Sequence, residues 1–154
     1  CFSRPRWRLL VSVLEENGRI DSVDRSEEMV RLAKENISQA GCSDKVNIVL
    51  GEALDVLKCL DGTYDMIFMD AAKGQYIEFL ADCPRLLKKG GLMVTDNVLY
   101  RGLVSNDAEV PKGDRTIVKK LREYLAALCS NEGLDTAILP VGDGVAVTYK
   151  RGGI

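Results

Sequence analysis

Histidine is absent from all 154 residues of this chain. Its absence excludes the Ser-His-Asp and Cys-His arrangements of nucleophilic catalysis, and it excludes most catalytic zinc sites. A general base in this protein would therefore be a carboxylate, a lysine, a tyrosine or a cysteine.

The cysteines form no pattern typical of a disulfide framework or a zinc site. There are five of them, an odd number, at wide spacings and without a C-x-x-C motif. We therefore expect reduced thiols, as in a cytoplasmic protein. Cys83 falls on the apolar face of a predicted helix, where we expect it to be a small buried hydrophobic residue.

Long apolar runs and a strong excess of one charge are also absent. No apolar stretch of about 18 residues occurs, so no transmembrane helix is predicted. The formal net charge of −2 and the pI near 5.3 give no electrostatic footprint for nucleic acid or an anionic membrane. A length of 154 residues predicts a single domain over residues 1–154.

An alternation of strand and helix patterns runs along the chain. It predicts an α/β fold in which helices cover a mostly parallel sheet. The last two strands are separated only by residues 140–144, which predicts a C-terminal antiparallel hairpin. The predicted strands are 20–23, 46–50, 66–69, 92–95, 136–139 and 145–149, and the predicted helices are 7–16, 27–40, 53–60, 75–87 and 116–130.

Capping residues and glycines predict where two of these helices begin and end. Ser26 is expected to cap the helix over 27–40, and Gly41 is expected to end it. Gly90-Gly91 is expected to end the helix over 75–87. The buried stripe of the helix over 27–40 is predicted to be Met29, Ala33 and Ile37.

Three predicted strands end in an aspartate, at Asp24, Asp70 and Asp96, and Asn97 follows the last of these. In an open parallel α/β sheet, ligands bind at the carboxyl ends of the strands. These polar residues therefore suggest a site for a hydroxyl-rich cofactor, a hard cation, or both.

Asp70, Asp96 and Asn97 would converge if their two strands are neighbours. An all-oxygen set without His or Cys selects Mg²⁺, Ca²⁺ or Mn²⁺. The alternative is that each acid only caps the turn that leaves its strand. Lys73 would lie near such a metal site and could act as a base, or it is an ordinary solvated lysine.

Asp24 can accept hydrogen bonds from the ribose hydroxyls of a nucleotide-like cofactor. The alternative is a solvated aspartate that begins the helical turn at Ser26. One acid is a weak motif, so the residues alone leave both interpretations open.

Two long segments, Asp65 to Tyr76 (DMIFMDAAKGQY) and Gly90 to Gly102 (GGLMVTDNVLYRG), carry a resemblance to a known family. They resemble the signature segments of the metal-dependent small-molecule O-methyltransferases, the family of caffeoyl-CoA and catechol O-methyltransferases and their bacterial relatives. The ending from Leu139 to Val145 (LPVGDGV) resembles the terminal hairpin of the same family. The resemblance extends from about Gly18 to Arg151.

The resemblance implies a Rossmann-like class I methyltransferase fold that uses S-adenosylmethionine and a divalent cation, which is Mg²⁺ or else Ca²⁺ or Mn²⁺. It implies that Asp70, Asp96 and Asn97 bind the metal, and that Lys73, the base, is catalytic together with Asp70. It also implies a cofactor site in which Ala53 offers its backbone N–H beside the adenine. The residues of that cofactor site would be Asp24, Glu52, Ala53 and Asp70.

The implied reaction transfers a methyl group from S-adenosylmethionine to a hydroxyl of a small catechol-like or phenolic acceptor. The loop over 98–114 is expected to shape the acceptor pocket, with Tyr100 or Arg101 facing it. The resemblance suggests a homodimer, and neither a membrane nor a nucleic acid is expected as a partner.

One feature of the family has no counterpart that we find in this sequence. Family members carry a glycine-containing loop after the first, central strand, and Cys1 to Trp7 stands where the end of that loop is expected. We therefore predict an N-terminally truncated methyltransferase domain, whose sheet keeps six strands and lacks the first.

Two alternatives to a methyltransferase stay open. An NAD(P)-binding Rossmann oxidoreductase would also use Asp24 on a ribose, although no G-x-G-x-x-G and no Tyr-x-x-x-Lys is present. The second alternative is a non-catalytic fragment of a methyltransferase, in which the fold persists as a binding or interaction surface.

Overall fold

A computed structural model of the chain describes residues 10–105 and 110–152. The chain divides into two compact units, Cys1–Cys59 and Leu60–Ile154. Of the helix predicted over 7–16, residues 10–12 are helical and residues 13–16 are not, so the predicted end at Glu16 is wrong. Residues 1–9, which include the predicted start of that helix and the segment Cys1 to Trp7, lie outside the described residues.

The first unit contains two parallel strands and two helices, which are β1 (Ile20–Asp24), α1 (Glu27–Gln39), β2 (Val46–Leu50) and α2 (Ala53–Cys59). β1 pairs with β2 along its whole length. The hydrophobic core of this first unit lies between one face of α1 and β2, because apolar side chains recur at helical spacing on α1 and at alternate positions on β2. The buried residues of this core are Val30, Ala33, Ile37, Val46 and Ile48.

The predicted start of α1 at Glu27 is confirmed, and its end lies one residue before the predicted one. The side chain of Ser26 accepts a hydrogen bond from the backbone N–H of Met29 at 3.3 Å, which satisfies one donor of the first turn. The helix ends at Gln39, and Gly41 follows with a φ of 67°, a conformation that favours glycine. The predicted stripe is wrong in one member, because Val30 is buried where Met29 is only half-buried.

The second unit contains a four-stranded sheet and the helices around it. Its elements are β3 (Tyr64–Met69), a 3₁₀ turn (Lys73–Gln75), α3 (Tyr76–Phe79), α4 (Cys83–Leu86), β4 (Leu87–Asp96), α5 (Arg115–Ser130), β5 (Leu134–Leu139) and β6 (Val145–Lys150). The strand order in the sheet is β3-β4-β6-β5. β3 and β4 are parallel, and the two remaining pairs are antiparallel, so the C-terminal hairpin is confirmed.

The two faces of this sheet differ in their burial. Met93 and Thr95 of β4 and Ala146 and Thr148 of β6 are buried at alternate positions on one face, which α5 helps to cover. α5 contributes the buried residues Val118, Leu121, Tyr124, Leu125 and Leu128. Among the described residues, no helix is long and apolar enough to cross a bilayer.

The single helix predicted over 75–87 is wrong. The segment forms two short helices, α3 and α4, separated by a turn, and Pro84 lies in the first turn of α4. A proline has no N–H for a helical hydrogen bond, so it favours the start of a new helix over the continuation of an old one. Cys83 is buried, as predicted, and burial raises the pKa of its thiol to about 12.

Gly90-Gly91 does not end a helix, because both glycines lie inside β4. The strand begins at Leu87, and its pairing with β3 shifts register between Tyr64 and Met66. Gly90 has a φ of 81°, so the glycines mark an irregularity within the strand rather than a helix end. Lys150 donates to the carbonyls of Pro84 and Leu87, at 2.7 Å each, and so fixes the passage from α4 into β4.

We predict that Gly91→Ala destabilises the protein. Gly91 is buried, and a Cβ there would lie 2.9 Å from Leu87 Cδ1 and 3.0 Å from the carbonyl oxygen of Asp65. Overpacking of this kind should lower the free energy of unfolding by about 1–3 kcal/mol. Gly113→Ala is the control, because a Cβ at Gly113 meets open space. Denaturant unfolding of both variants measures the difference, and equal stabilities would contradict the prediction.

Candidate active site

The carboxyl ends of β3 and β4 bring two of the predicted acids to one edge of the sheet. The two strands are adjacent and parallel, and Met69 lies opposite Thr95. Asp70 directly follows Met69, and Asp96 is the last residue of β4. Adjacent strands lie about 4.8 Å apart, so the two aspartates leave the sheet side by side. The expectation that their strands are neighbours is confirmed.

The carboxylates of Asp70 and Asp96 both affect the hydroxyl of Tyr76. Tyr76 is fully buried, and its hydroxyl donates to the backbone carbonyl of Asp96 at 3.1 Å. Burial raises the pKa of Tyr76 above its usual value, and the negative charges of Asp70 and then of Asp96 raise it further. Both aspartates therefore act on one buried hydroxyl.

Asn97 and Lys73 lie beside this pair. The N–H of Asn97 donates to Oδ1 of Asp96 at 2.8 Å, and its side-chain oxygen accepts a long hydrogen bond from Lys73 Nζ at 3.4 Å. Lys73 is half-buried in the 3₁₀ turn that follows β3. The structure thus groups Lys73, Asn97 and Asp96 above Tyr76.

The chemistry of these side chains suits a hard cation. Carboxylate and amide oxygens are ligands that Mg²⁺, Ca²⁺ and Mn²⁺ accept. The amide oxygen of Asn97 already accepts a hydrogen bond from Nζ of Lys73. Over the described ranges, no three or more His, Cys, Asp or Glu side chains form a metal-binding group. A site here would therefore depend on the amide of Asn97 as its third protein ligand.

A buried pair of tyrosines lies beneath the site. The rings of Tyr76 and Tyr124 have centroids 5.5 Å apart, and the hydroxyl of Tyr124 lies 2.6 Å from Oγ1 of Thr95. Tyr76 is not among the site residues predicted from the sequence. The phenol itself is the signal for a further role, because a buried tyrosine hydroxyl usually has a hydrogen-bond partner.

The predicted cofactor residues of the first unit lie at the carboxyl ends of β1 and β2. Asp24 ends β1, half-buried, and its Oδ1 accepts from the N–H of Ser26 at 3.0 Å. The N–H of Gly51 donates to the carbonyl of Asp24 at 3.0 Å, which brings the start of α2 to the end of β1. Ala53 is the first residue of α2, and the exposed Glu52 lies 3.9 Å from Arg25.

This geometry is compatible with both interpretations of Asp24. Its contact with the N–H of Ser26 is the local turn that the simpler interpretation expects. A carboxylate has two oxygens and several acceptor positions, so the same side chain can also accept from a ribose.

The loop after Asn97 has an unusual backbone. Tyr100 and Arg101 have φ values of 46° and 56°, and the guanidinium of Arg101 lies 5.5 Å from the centre of the Tyr100 ring. The hydroxyl of Tyr100 donates to Asp114 at 2.9 Å, and this contact raises the pKa of the tyrosine. Residues 106–109 of the loop lie outside the described part, and its role toward an acceptor stays a prediction.

The sequence matches a known family along most of its length. Residues 8–151 match the O-methyltransferase family. Caffeoyl-CoA O-methyltransferase 2 of Populus trichocarpa is 34% identical over 94% of this chain and 62% of its own length. The chain spans only about three fifths of the curated relatives that it matches, with 62%, 61% and 60% for three of them.

Solved structures show the same fold. A protein of Staphylococcus aureus, solved as a candidate caffeoyl-CoA O-methyltransferase, is 37% identical with a TM-score of 0.77, over 86% of this chain and 64% of its own. The SAH-bound methyltransferase PaMTH1 of Podospora anserina is 29% identical with a TM-score of 0.74, over 87% of this chain and 61% of its own. The predicted Rossmann-like methyltransferase fold is confirmed.

We predict that the buried Tyr124 makes stability fall at high pH. Burial raises the pKa of Tyr124 from 10.0 to about 12, although its hydrogen bond with Thr95 acts in the opposite direction. The unfolded chain therefore loses this proton at a lower pH than the folded chain. The stability that this pKa difference contributes is complete below about pH 10 and is lost as the pH rises to about 12. When the pH is raised from about 9 to about 11.5, the free energy of unfolding should fall by roughly 2 kcal/mol less in Tyr124→Phe than in the unmodified chain.

Urea unfolding at the two pH values measures this difference. Tyr149→Phe is the control, because Tyr149 is 42% exposed and its variant should follow the unmodified chain. The prediction is wrong if Tyr124→Phe shows the same pH dependence as the unmodified chain.

Proposed function

Because this chain belongs to the O-methyltransferase family, we propose that it transfers a methyl group from S-adenosylmethionine to a hydroxyl of a small catechol-like or phenolic acceptor, assisted by a divalent cation. The observation that carries the proposal is the grouping of Asp96, Asn97 and Lys73 beside Asp70 at one edge of the sheet. The match to this family favours a methyltransferase over the NAD(P)-binding alternative.

The proposed metal ligands are Asp70, Asp96 and Asn97. Two carboxylates and one amide supply oxygen atoms only, which favours Mg²⁺ and also admits Mn²⁺ or Ca²⁺. A bound divalent cation would polarise an acceptor hydroxyl and stabilise the negative charge on its oxygen. Tyr76 supports the site from below, because its hydroxyl fixes the backbone carbonyl of Asp96.

Lys73 is the proposed base. Its Nζ is 3.4 Å from a proposed metal ligand, so a hydroxyl bound beside Asn97 would lie within reach of it. In its neutral form Lys73 would accept the proton of that hydroxyl at Nζ. Asp70 would share in catalysis by fixing the position of the reacting groups, which supplies proximity and orientation.

The proposed cofactor residues are Asp24, Glu52, Ala53 and Asp70. Asp24 would accept hydrogen bonds from the ribose hydroxyls, and Ala53 would offer its backbone N–H beside the adenine. The SAH-bound relative from Podospora anserina supports this cofactor, since SAH is what S-adenosylmethionine becomes after it gives up its methyl group. The caffeoyl-CoA relatives support a phenolic acceptor.

Two further statements about the whole protein stay predictions. They are a single domain over residues 1–154 and a homodimer. The continuous family match over residues 8–151 supports the first of them.

Methyl transfer from labelled S-adenosylmethionine to a panel of dihydroxyphenols tests the proposed function. We expect transfer with Mg²⁺ that EDTA abolishes. Asp96→Ala should lower kcat/KM by at least about 100-fold, since it removes a metal ligand. Asp65→Ala is the matched control, because it removes an exposed carboxylate of β3 that pairs with Lys88 at the opposite end of the β3–β4 pair from the site. Its kcat/KM should stay within about threefold.

Two results would contradict the proposal. Transfer that persists in EDTA would remove the cation from the mechanism. Calorimetric binding of NAD, without binding of SAH, would favour the oxidoreductase alternative.

A further inference from the structure

The backbone that carries Asn97 is held in an uncommon conformation. Asn97, Tyr100 and Arg101 all have positive φ, at 57°, 46° and 56°. Asparagine enters this region more readily than other residues with side chains, but a tyrosine and an arginine adopt it rarely and need surrounding contacts to enforce it. Because Asn97 is a proposed metal ligand, the contacts that enforce its backbone also set where its side-chain oxygen lies.

The turn that joins β5 to β6 holds the residues that directly follow Asn97. The N–H of Val98 donates to the carbonyl of Gly144, and the N–H of Leu99 donates to the carbonyl of Asp143, both at 3.0 Å. The N–H of Arg101 donates to the carboxylate of Asp143. Three backbone N–H groups of the loop after β4 therefore donate hydrogen bonds to two adjacent residues of the turn.

Gly144 allows the turn to come this close. Its φ is 82°, and a Cβ at this position would lie 2.3 Å from Cγ of Leu99. Any side chain at Gly144 would push the loop away. The sheet register fixes the same arrangement from below, because Val145, the next residue, lies opposite Asp96 in the pairing of β6 with β4.

We propose that Asp143 and Gly144 are positioning residues, which hold the loop after β4 so that the side-chain oxygen of Asn97 is aimed into the metal site. The inference rests on the proposed function, because it needs that metal site. Asp143 acts through the backbone N–H of Arg101 and the backbone of Leu99, rather than as a ligand. The turn that closes the C-terminal hairpin thereby becomes part of the support of the site.

Calorimetric titration of the 154-residue chain with Mn²⁺ alone tests this role without any activity assay. Asp143→Ala should weaken Mn²⁺ binding about 10-fold, as loss of a residue that orients a ligand typically does. Asp143→Asn should stay within about threefold of the unmodified chain, because its amide oxygen can still accept from the N–H of Arg101. Asp135→Ala is the control for loss of an exposed carboxylate in the same hairpin, since Asp135 pairs with Arg151, and it should leave the affinity unchanged.

Each other outcome counts against the proposal. Equal losses in Asp143→Asn and Asp143→Ala would assign the effect to charge instead of positioning. Unchanged affinity in Asp143→Ala would overturn the inference alone, provided that Asp96→Ala still abolishes binding. No Mn²⁺ binding by the unmodified chain would overturn the proposed metal site and this inference together. If a thermal melt shows that Asp143→Ala does not fold, Asp143→Ser takes its place, with the same loss expected from its shorter side chain.

Discussion

The parallel pairing of β3 with β4 determines where the candidate site lies. Met69 opposite Thr95 places Asp70 and Asp96 at adjacent positions on one edge of the sheet. A slip of this register by one residue would turn each following side chain to the other face of its strand. The buried face of β4, with Met93 and Thr95 inside, holds the register because these side chains are fully enclosed.

Three further contacts hold the residues that follow the end of β4. Lys73 reaches Asn97 from the 3₁₀ turn, Tyr76 holds the carbonyl of Asp96 from α3, and the β5–β6 turn holds the loop that follows Asn97. Each contact joins residues that are far apart in the chain. Tyr76 is fully buried, whereas Asp70 is exposed and Asp96 is half-buried, so the two carboxylates lie at an accessible edge of the sheet with a closed core beneath them.

The strand-end acids could be predicted from the sequence because an apolar run followed by an aspartate is a local pattern. The proposal of Asp70, Asp96 and Asn97 as metal ligands followed from that pattern and from the family resemblance. The helix over 75–87 was mispredicted because helical spacing of apolar residues continues through Pro84 into β4, where packing against β3 decides the conformation. The partner of the Tyr76 hydroxyl and the contact of Asp143 with Arg101 could not be read from the sequence, since both depend on tertiary structure.

The most direct test of a cation site at this sheet edge is an anomalous difference map from a crystal of the chain grown with Mn²⁺. We expect a peak that lies about 2.0–2.6 Å from oxygens of Asp70, Asp96 and Asn97. A peak elsewhere, or no peak in a well-ordered crystal, would contradict a cation site formed by these residues.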